Sequence, residues 1–226
     1  MSKRIIVLGA SQGIGAALVD HFAAFPDTNV IALSRNLEKM RKRFTQRNVL
    51  CFGLDISQNV TQQISSIELD APIDILINNA GLLINKPFET LTHEDFSQSY
   101  QVNVIGIMEA TQALLPRLAP SAHIVNISSM GGFQGSLKFA GLAAYSTSKA
   151  ALCAFTELFA EEYKASGIHM NCLCLGAVQT EMLSAAFPGY VAPTSAEQMA
   201  SFIADFALNS GSFFNGKIIP VSSTNP

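Results

Sequence analysis

The residues best suited to chemistry in this 226-residue chain are Tyr145, in Tyr145-Ser146-Thr147-Ser148-Lys149, and the hydroxyl pair Ser128-Ser129 at the end of a strongly apolar run. If Tyr145 opens a helix, the 3.6-residue period brings Lys149 onto the same face one turn later, its ammonium near the phenol. A phenol with a pKa of about 10 is a reluctant proton donor or acceptor at neutral pH, and an adjacent cation pulls that value down. A nearby serine hydroxyl is placed to hold a carbonyl oxygen. Tyr-x-x-x-Lys alone also describes an ordinary surface helix, so its meaning depends on the elements that position it.

Those elements alternate along the chain. Hydrophobic residues make up 49% and charged residues 14%, which excludes disorder and suggests strands buried on both faces. Short β-branched runs alternate with longer amphipathic segments, the pattern of βαβ units around a parallel sheet in one domain, 1–226. Strands are expected near 4–8, 29–33, 48–54, 73–77, 122–128, 168–175 and 217–221, and helices near 13–25, 36–46, 58–68, 92–118, 145–166 and 195–209. The basic start followed by an apolar run reads as a first strand rather than a signal peptide, because Gly9 interrupts it. No apolar run is long enough to span a bilayer. A formal net charge of −3 argues against a nucleic-acid partner. The four cysteines have no zinc spacing, so no metal site is expected. Cys172 and Cys174 share one side of a strand and Cys51 and Cys153 stand apart, which fits buried thiols in a reducing cytoplasm. His21, His93, His123 and His169 match no catalytic or metal spacing.

The first strand runs into Gly9-Ala10-Ser11-Gln12-Gly13-Ile14-Gly15, where a glycine-rich turn meets a helix N-terminus. That junction offers free N–H groups and a partial positive charge to a pyrophosphate. Ser34-Arg35 stands at the end of the second strand, where an acid would bind ribose hydroxyls and an arginine pairs with a 2′-phosphate. Asp55 reads equally as an adenine contact and as a cap before Ser57. Asn78-Asn79-Ala80-Gly81 ends the fourth strand with amides that satisfy backbone groups and small residues that leave room for a cofactor.

Taken in order, the glycine loop at 9–15, Asn78-Asn79-Ala80-Gly81, Asn103, Ser128-Ser129 and Tyr145-x-x-x-Lys149 resemble the short-chain dehydrogenase/reductase family over nearly the whole chain. The resemblance implies a single Rossmann-type doubly wound α/β domain with a seven-stranded parallel sheet flanked by helices on both faces. It also implies NAD(P) and hydride transfer between nicotinamide and a carbonyl or alcohol. Tyr145 would then be the proton donor, with Lys149 lowering its pKa and holding the nicotinamide ribose. Ser129 would bind the carbonyl, with Ser128 as the alternative, and Asn103 would hold a water linked to Lys149. Gly176, Val178 and Thr180 would contact the nicotinamide. Arg35 favours NADP(H) and leaves NAD(H) as a second cofactor. Within the family, Leu8 stands where threonine is common and Leu175-Gly176 replaces a common Pro-Gly. The chain after residue 216 lacks the usual acidic, double-glycine tail, from which an altered pocket or oligomer edge would follow.

Two apolar walls are expected around the substrate. One is the 130–141 connection with Phe133, Leu137 and Phe139; the other is a short lid of Met182, Leu183, Phe187, Tyr190 and Val191. Together they suit a small or medium apolar ketone or aldehyde. A 3-oxoacyl or steroid-type reductase needs a larger lid, and a dinucleotide-sensing regulator without turnover is disfavoured by the intact Asn103, Ser129, Tyr145 and Lys149 set. Apolar stripes at Ala151, Leu152, Phe155, Leu158 and Phe159, and at Val102, Ile105, Met108, Leu114 and Leu115, predict a homodimer or homotetramer.

Overall fold

A computed structural model describes residues 2–69 and 72–222. The apolar runs become strands β1 (Lys3–Leu8), β2 (Thr28–Ser34), β3 (Val49–Gly53), β4 (Ile73–Asn78), β5 (Leu118–Ser129) and β6 (His169–Leu175). After a two-residue pair, β7 (Val178–Gln179) and β8 (Thr194–Ser195), the chain closes on β9 (Ile218–Val221). Seven of these form one parallel sheet in the order β3-β2-β1-β4-β5-β6-β9. Each crossover is a helix or helix pair: α1 (Gly13–Ala23), α2 (Leu37–Arg43), α3 (Val60–Ser65), α4 (His93–Tyr100), α5 (Gly106–Leu114), α6 (Ala143–Glu162) and α8 (Ala196–Asn209). The short α7 (Glu181–Ala186) lies between β7 and β8.

Parallel strands covered on both faces need apolar residues at every position, and β1 shows why the run Ile5-Ile6-Val7-Leu8 is unbroken. Ile5 and Val7 join the core formed with α1 and α8, while Ile6 and Leu8 join the core under α3, α5 and α6. The sheet thus has the doubly wound layering expected. The main difference lies in the segment 92–118, which is not one helix. A π-helical turn, Gln101–Ile105, separates α4 from α5; a 3-10 turn follows, and β5 begins at Leu118 rather than at residue 122. At the end of that turn Gly106 packs against the chain at Ile56, where an added Cβ would lie 2.0 Å from the Ile56 carbonyl oxygen.

A polar layer crosses this apolar interior. Asn78 and Asn126 face each other in the β4–β5 ladder. Asn78 Nδ2 donates to Asn126 Oδ1 at 2.7 Å and to Thr111 Oγ1 at 3.2 Å, and Asn126 Nδ2 donates to Thr156 Oγ1 at 2.9 Å. All four residues are buried. Their amides tie α5, β4, β5 and α6 together with hydrogen bonds inside a low-dielectric layer.

His123 is one of the four histidines assigned no chemistry, and its surroundings agree. Its ring lies between the Ala207 carbonyl, 3.0 Å from Nδ1, and the Asn171 amide, 3.0 Å from Nε2. Both contacts are satisfied by a neutral ring donating from Nδ1 and accepting at Nε2. Burial pulls its pKa below 6.5, against the Ala207 hydrogen bond and with help from His169. The unfolded chain takes up this proton near pH ~6.5, and the folded chain does so only at lower pH. The stability from a neutral His123 is therefore complete above that value and lost as pH falls through the depressed folded pKa. Urea midpoints measured from about pH 7 to about pH 5 should fall less steeply for His123→Gln than for the natural chain; equal slopes would show that His123 does not carry the loss.

Candidate active site

The chain turns to opposite sides of the sheet on leaving β1 and β4, and a cleft of about 1200 Å³ opens beyond the carboxyl ends of these strands. In an open α/β sheet that switch point is where a ligand fits. The glycine loop forms its floor. Gly9 has φ +78°, and a Cβ there would lie 2.7 Å from the Ala80 Cα, so the β1 and β4 ends meet only without a side chain. Gly15 lies still closer to the loop: its Cβ would fall 2.1 Å from the Gly9 carbonyl oxygen and 2.5 Å from Asn79 Nδ2. That amide holds the turn by donating to Gly9 O at 3.1 Å. Gln12 precedes α1 with no side-chain cap, so the first N–H groups of α1, from Gly13, Ile14 and Gly15, remain for a ligand.

At the other end of the cleft, α6 begins at Ala143 and brings Tyr145 and Lys149 to one face, as the spacing predicts. Ser129 leaves β5 into the cleft that Tyr145 also lines, and its Oγ accepts from Gly131 N at 3.2 Å. Ser128 behaves differently. Its Oγ donates inward to the Lys149 carbonyl at 2.9 Å, so of the two serines only Ser129 is free to meet a substrate oxygen. Burial raises the phenol pKa above 10; the Ser129 hydroxyl pulls it partly back and Cys174 raises it further. The net shift is upward, and Lys149 is not among its causes. Lys149 is 4% exposed and its Nζ donates to the Ile127 carbonyl at 2.8 Å. Burial brings its own pKa down to about 8, and the neighbouring thiols of Cys172, Cys153 and Cys174 oppose that fall.

Asn103 sits in the π turn between α4 and α5, and its side chain bonds to the chain on both sides of it. Its Nδ2 donates to Leu82 O at 2.9 Å and to Ser148 Oγ at 2.9 Å, and its Oδ1 accepts from Leu82 N at 2.7 Å. Both amide hydrogens and one lone pair of Oδ1 are thus engaged within the chain. The extra residue of a π turn rotates Asn103 toward the loop after β4 and clips that loop to α6. Gly81 lies beside it, where a Cβ would be 3.4 Å from both Asn103 Oδ1 and Lys149 Nζ.

The far end of the cleft, at β2, is lined by Ser11, Gln12, Ser34, Arg35 and Lys39. Ser34 Oγ donates to Ser11 Oγ at 2.9 Å and Lys39 Nζ to Gln12 Oε1 at 3.3 Å. Asp55 also borders the cleft, but its carboxylate is engaged locally, accepting from Ser57 N at 3.0 Å, Ser57 Oγ at 2.6 Å and Gln58 Nε2 at 3.2 Å. Burial pushes its pKa up, and these hydrogen bonds with Arg35 bring it below the ordinary value. These bonds close a local turn ahead of α3, whose N-cap is Asn59 rather than Asp55. Gly176, Val178 and Thr180 line the opposite rim; Thr180 caps α7, accepting from Leu183 N at 3.2 Å.

The short chain dehydrogenase family model matches residues 3–190. The chain belongs to the short-chain dehydrogenase family. It is an oxidoreductase of the short-chain dehydrogenase/reductase class. An acetoacetyl-CoA reductase of Shinella zoogloeoides is 30% identical over 82% of this chain and 78% of the relative. A 2-(R)-hydroxypropyl-CoM dehydrogenase of Xanthobacter autotrophicus is 34% identical over 80% of this chain and 77% of the relative. Among solved structures, a short chain dehydrogenase from Burkholderia cenocepacia in complex with NADP superposes with a TM-score of 0.88, 26% identical, covering 99% of this chain and 97% of the other.

The expected substrate walls are only partly formed. Of the 130–141 aromatics and leucine, only Phe139 lines the cleft. Phe133 packs on the Cys153, Cys172 and Cys174 cluster, and Leu137 is 64% exposed. Lys138 holds the connection back by donating to Gly131 O at 3.0 Å and Phe133 O at 2.6 Å. On the other side Met182, Leu183, Phe187 and Tyr190 line the cleft, while Val191 is 80% exposed. Phe202, on α8, also lines the cleft and was not anticipated. Its exposed position on an amphipathic helix gave no sequence signal.

The clip made by Asn103 has a measurable cost. Asn103→Ala leaves Leu82 N and O and Ser148 without their partner, a loss of about 1–3 kcal/mol for buried groups. Chemical denaturation should report a shift of that size, and a change under ~0.5 kcal/mol would mean that the clip carries no stability.

Proposed function

We propose that the chain is an NADP(H)-dependent oxidoreductase that reduces a small or medium apolar ketone or aldehyde to an alcohol, or runs the reverse. The observation that carries this reading is the continuity of one cleft. It runs from an Arg35- and Lys39-bearing end, past the uncapped start of α1, to the hydroxyls of Ser129 and Tyr145. The NADP in the Burkholderia relative supports the cofactor class.

The glycine loop fits a dinucleotide, since the missing side chains at Gly9 and Gly15 leave backbone at its floor and free N–H groups at the helix start. Arg35 holds a 2′-phosphate in this reading, with Ser11, Ser34 and Lys39 around it. Asn79, Ala80 and Gly81 flank the middle of the cofactor, and Gly176, Val178 and Thr180 its nicotinamide end. The dinucleotide, when bound, supplies or accepts the hydride. Ser129 Oγ holds the substrate oxygen and Tyr145 Oη delivers the proton to it. Lys149, already buried and hydrogen-bonded to Ile127, binds ribose hydroxyls and keeps positive charge beneath the phenol.

The apolar wall of Met182, Leu183, Phe187, Tyr190 and Phe202 suits an alkyl or aryl substituent. An acyl-thioester substrate is the second reading, favoured by the acetoacetyl-CoA reductase activity that names the Shinella relative. Assembly is proposed through the outer faces of α5 and α6. Leu114, Leu152 and Phe159 point into the core, but Ile105, Met108 and Leu158 are 44%, 41% and 70% exposed. Ile105 and Met108 border a groove that Phe155 also lines.

A panel of carbonyl compounds and one acetoacetyl thioester, scored by NADPH oxidation, tests the activity. Absence of turnover with every member would overturn the reading. Tyr145→Phe keeps the ring and removes the proton donor, so kcat should drop at least ~10²-fold with little change in cofactor affinity. Near-natural turnover in that variant would remove Tyr145 from the mechanism. A guanidinium-phosphate contact is worth about 1.5–3 kcal/mol, so NADPH should exceed NADH by at least ~10-fold in kcat/KM. Arg35→Ala should erase most of that preference and Ser34→Asp reduce it further; equal use of both cofactors by the natural chain contradicts the assignment. Light scattering at micromolar concentration should give a dimer or tetramer, and a monomer would refute the α5–α6 interface.

A further inference from the structure

Three of the four cysteines, from the consecutive elements α6 and β6, meet in one buried cluster that the oxidoreductase chemistry does not use. Cys172 and Cys174 alternate along β6 and so share a face, and Cys153 reaches them from α6. Cys153 Sγ lies 3.8 Å from Cys172 Sγ and 3.6 Å from Cys174 Sγ, and all three sulfurs fall within 4.8 Å of one another. Their exposures are 8%, 0% and 0%. None of them lines the cleft.

We propose that Cys153, Cys172 and Cys174 form a three-thiolate binding site for a soft, thiophilic monovalent metal ion of the Cu(I) class. The spacing carries the inference. Metal-thiolate bonds of about 2.3 Å around one ion place the sulfurs ~3.8 Å apart in tetrahedral and ~4.0 Å apart in trigonal geometry. The two Cys153 distances already match. They are far longer than the ~2.05 Å of a disulfide, and all three cysteines are free. Zinc fits less well, because a structural zinc site takes four sulfur or imidazole ligands. No imidazole or carboxylate joins the group among the described residues. The fourth buried residue of the cluster is the thioether residue Met130, and a group of three thiols with low coordination suits Cu(I).

Proton and charge balance also fit. Binding the ion replaces three S–H bonds by three S–metal bonds, releases three protons to solvent and moves no electrons. The two negative charges left over lie near the Lys149 ammonium, one helical turn before Cys153. Cys153 Sγ donates to the Lys149 carbonyl at 3.3 Å in the metal-free chain, so loading the site removes that donor from the backbone of the active-site helix.

The test is an anaerobic titration of the reduced full chain with Cu(I) against a colorimetric Cu(I) chelator, followed by X-ray absorption of the loaded protein. One Cu(I) retained per chain with a sulfur-only shell is expected, and Cys51→Ser, remote from the cluster, should not change it. Cys153→Ala should lose more than the ~10–100-fold in affinity that an outer-shell change costs. Less than one ion held by the natural chain, a nitrogen or oxygen shell, or unchanged binding in a folded Cys153→Ala protein would each overturn the proposal. If Cys153→Ala fails to fold by circular dichroism, the shell of the natural chain and the Cys51→Ser titration decide between site and no site.

Discussion

The burial of the Lys149 ammonium is the constraint on which the site depends. A cation at 4% exposure is unfavourable unless neighbouring dipoles and anions replace its water. The Ile127 carbonyl, at the end of β5, is the nearest such dipole at 2.8 Å. To bring it there, α6 must lie directly over β5, and Ser128 fixes that contact by bonding the Lys149 backbone. Ser129 is then left as the residue that faces outward. Gly81 keeps the space beside Nζ open, and the π turn at Asn103 holds the loop that carries Gly81.

Much of this was legible because each motif combines a residue type with a strand or helix end. The glycine loop lies where a strand runs into a helix, and the Tyr145 and Lys149 spacing is a helical repeat. Position and chemistry therefore point the same way. The alternation of apolar runs gave the parallel sheet for the same reason. What was not legible depends on contacts between distant segments. Nothing in Val102-Asn103-Val104 signals a π turn, because its cause is the packing of Gly106 on Ile56 and the bonds of Asn103 to Leu82 and Ser148. Likewise Cys153 has no sequence link to Cys172 and Cys174.

Ser128 and Ser129 show how fine that boundary is. Both were candidates for the same hydroxyl, and strand alternation alone sends adjacent side chains to opposite faces without saying which face is open. The inner face is known only once Lys149 O is in place to accept from Ser128. Phe133 and Phe139 divide similarly, one turned to the thiols and the other to the cleft, within a loop whose path no periodicity constrains.

The asparagine pair across β4 and β5 has a consequence for how the sheet assembles. Parallel pairing is set by long crossovers, and between apolar strands a slip of one position costs little side-chain contact, so alternatives compete closely. Here the β4–β5 ladder already contains an irregularity between Ile73 and Ile75. Above it, Asn78 meets Asn126 within reach of Thr111 and Thr156. Displacing β5 by one residue would set an amide opposite Val125 or Ile127 and strand several polar groups in hydrocarbon. The pair thus acts as a vernier mark: it adds little to the depth of the native well and makes the neighbouring wells shallow.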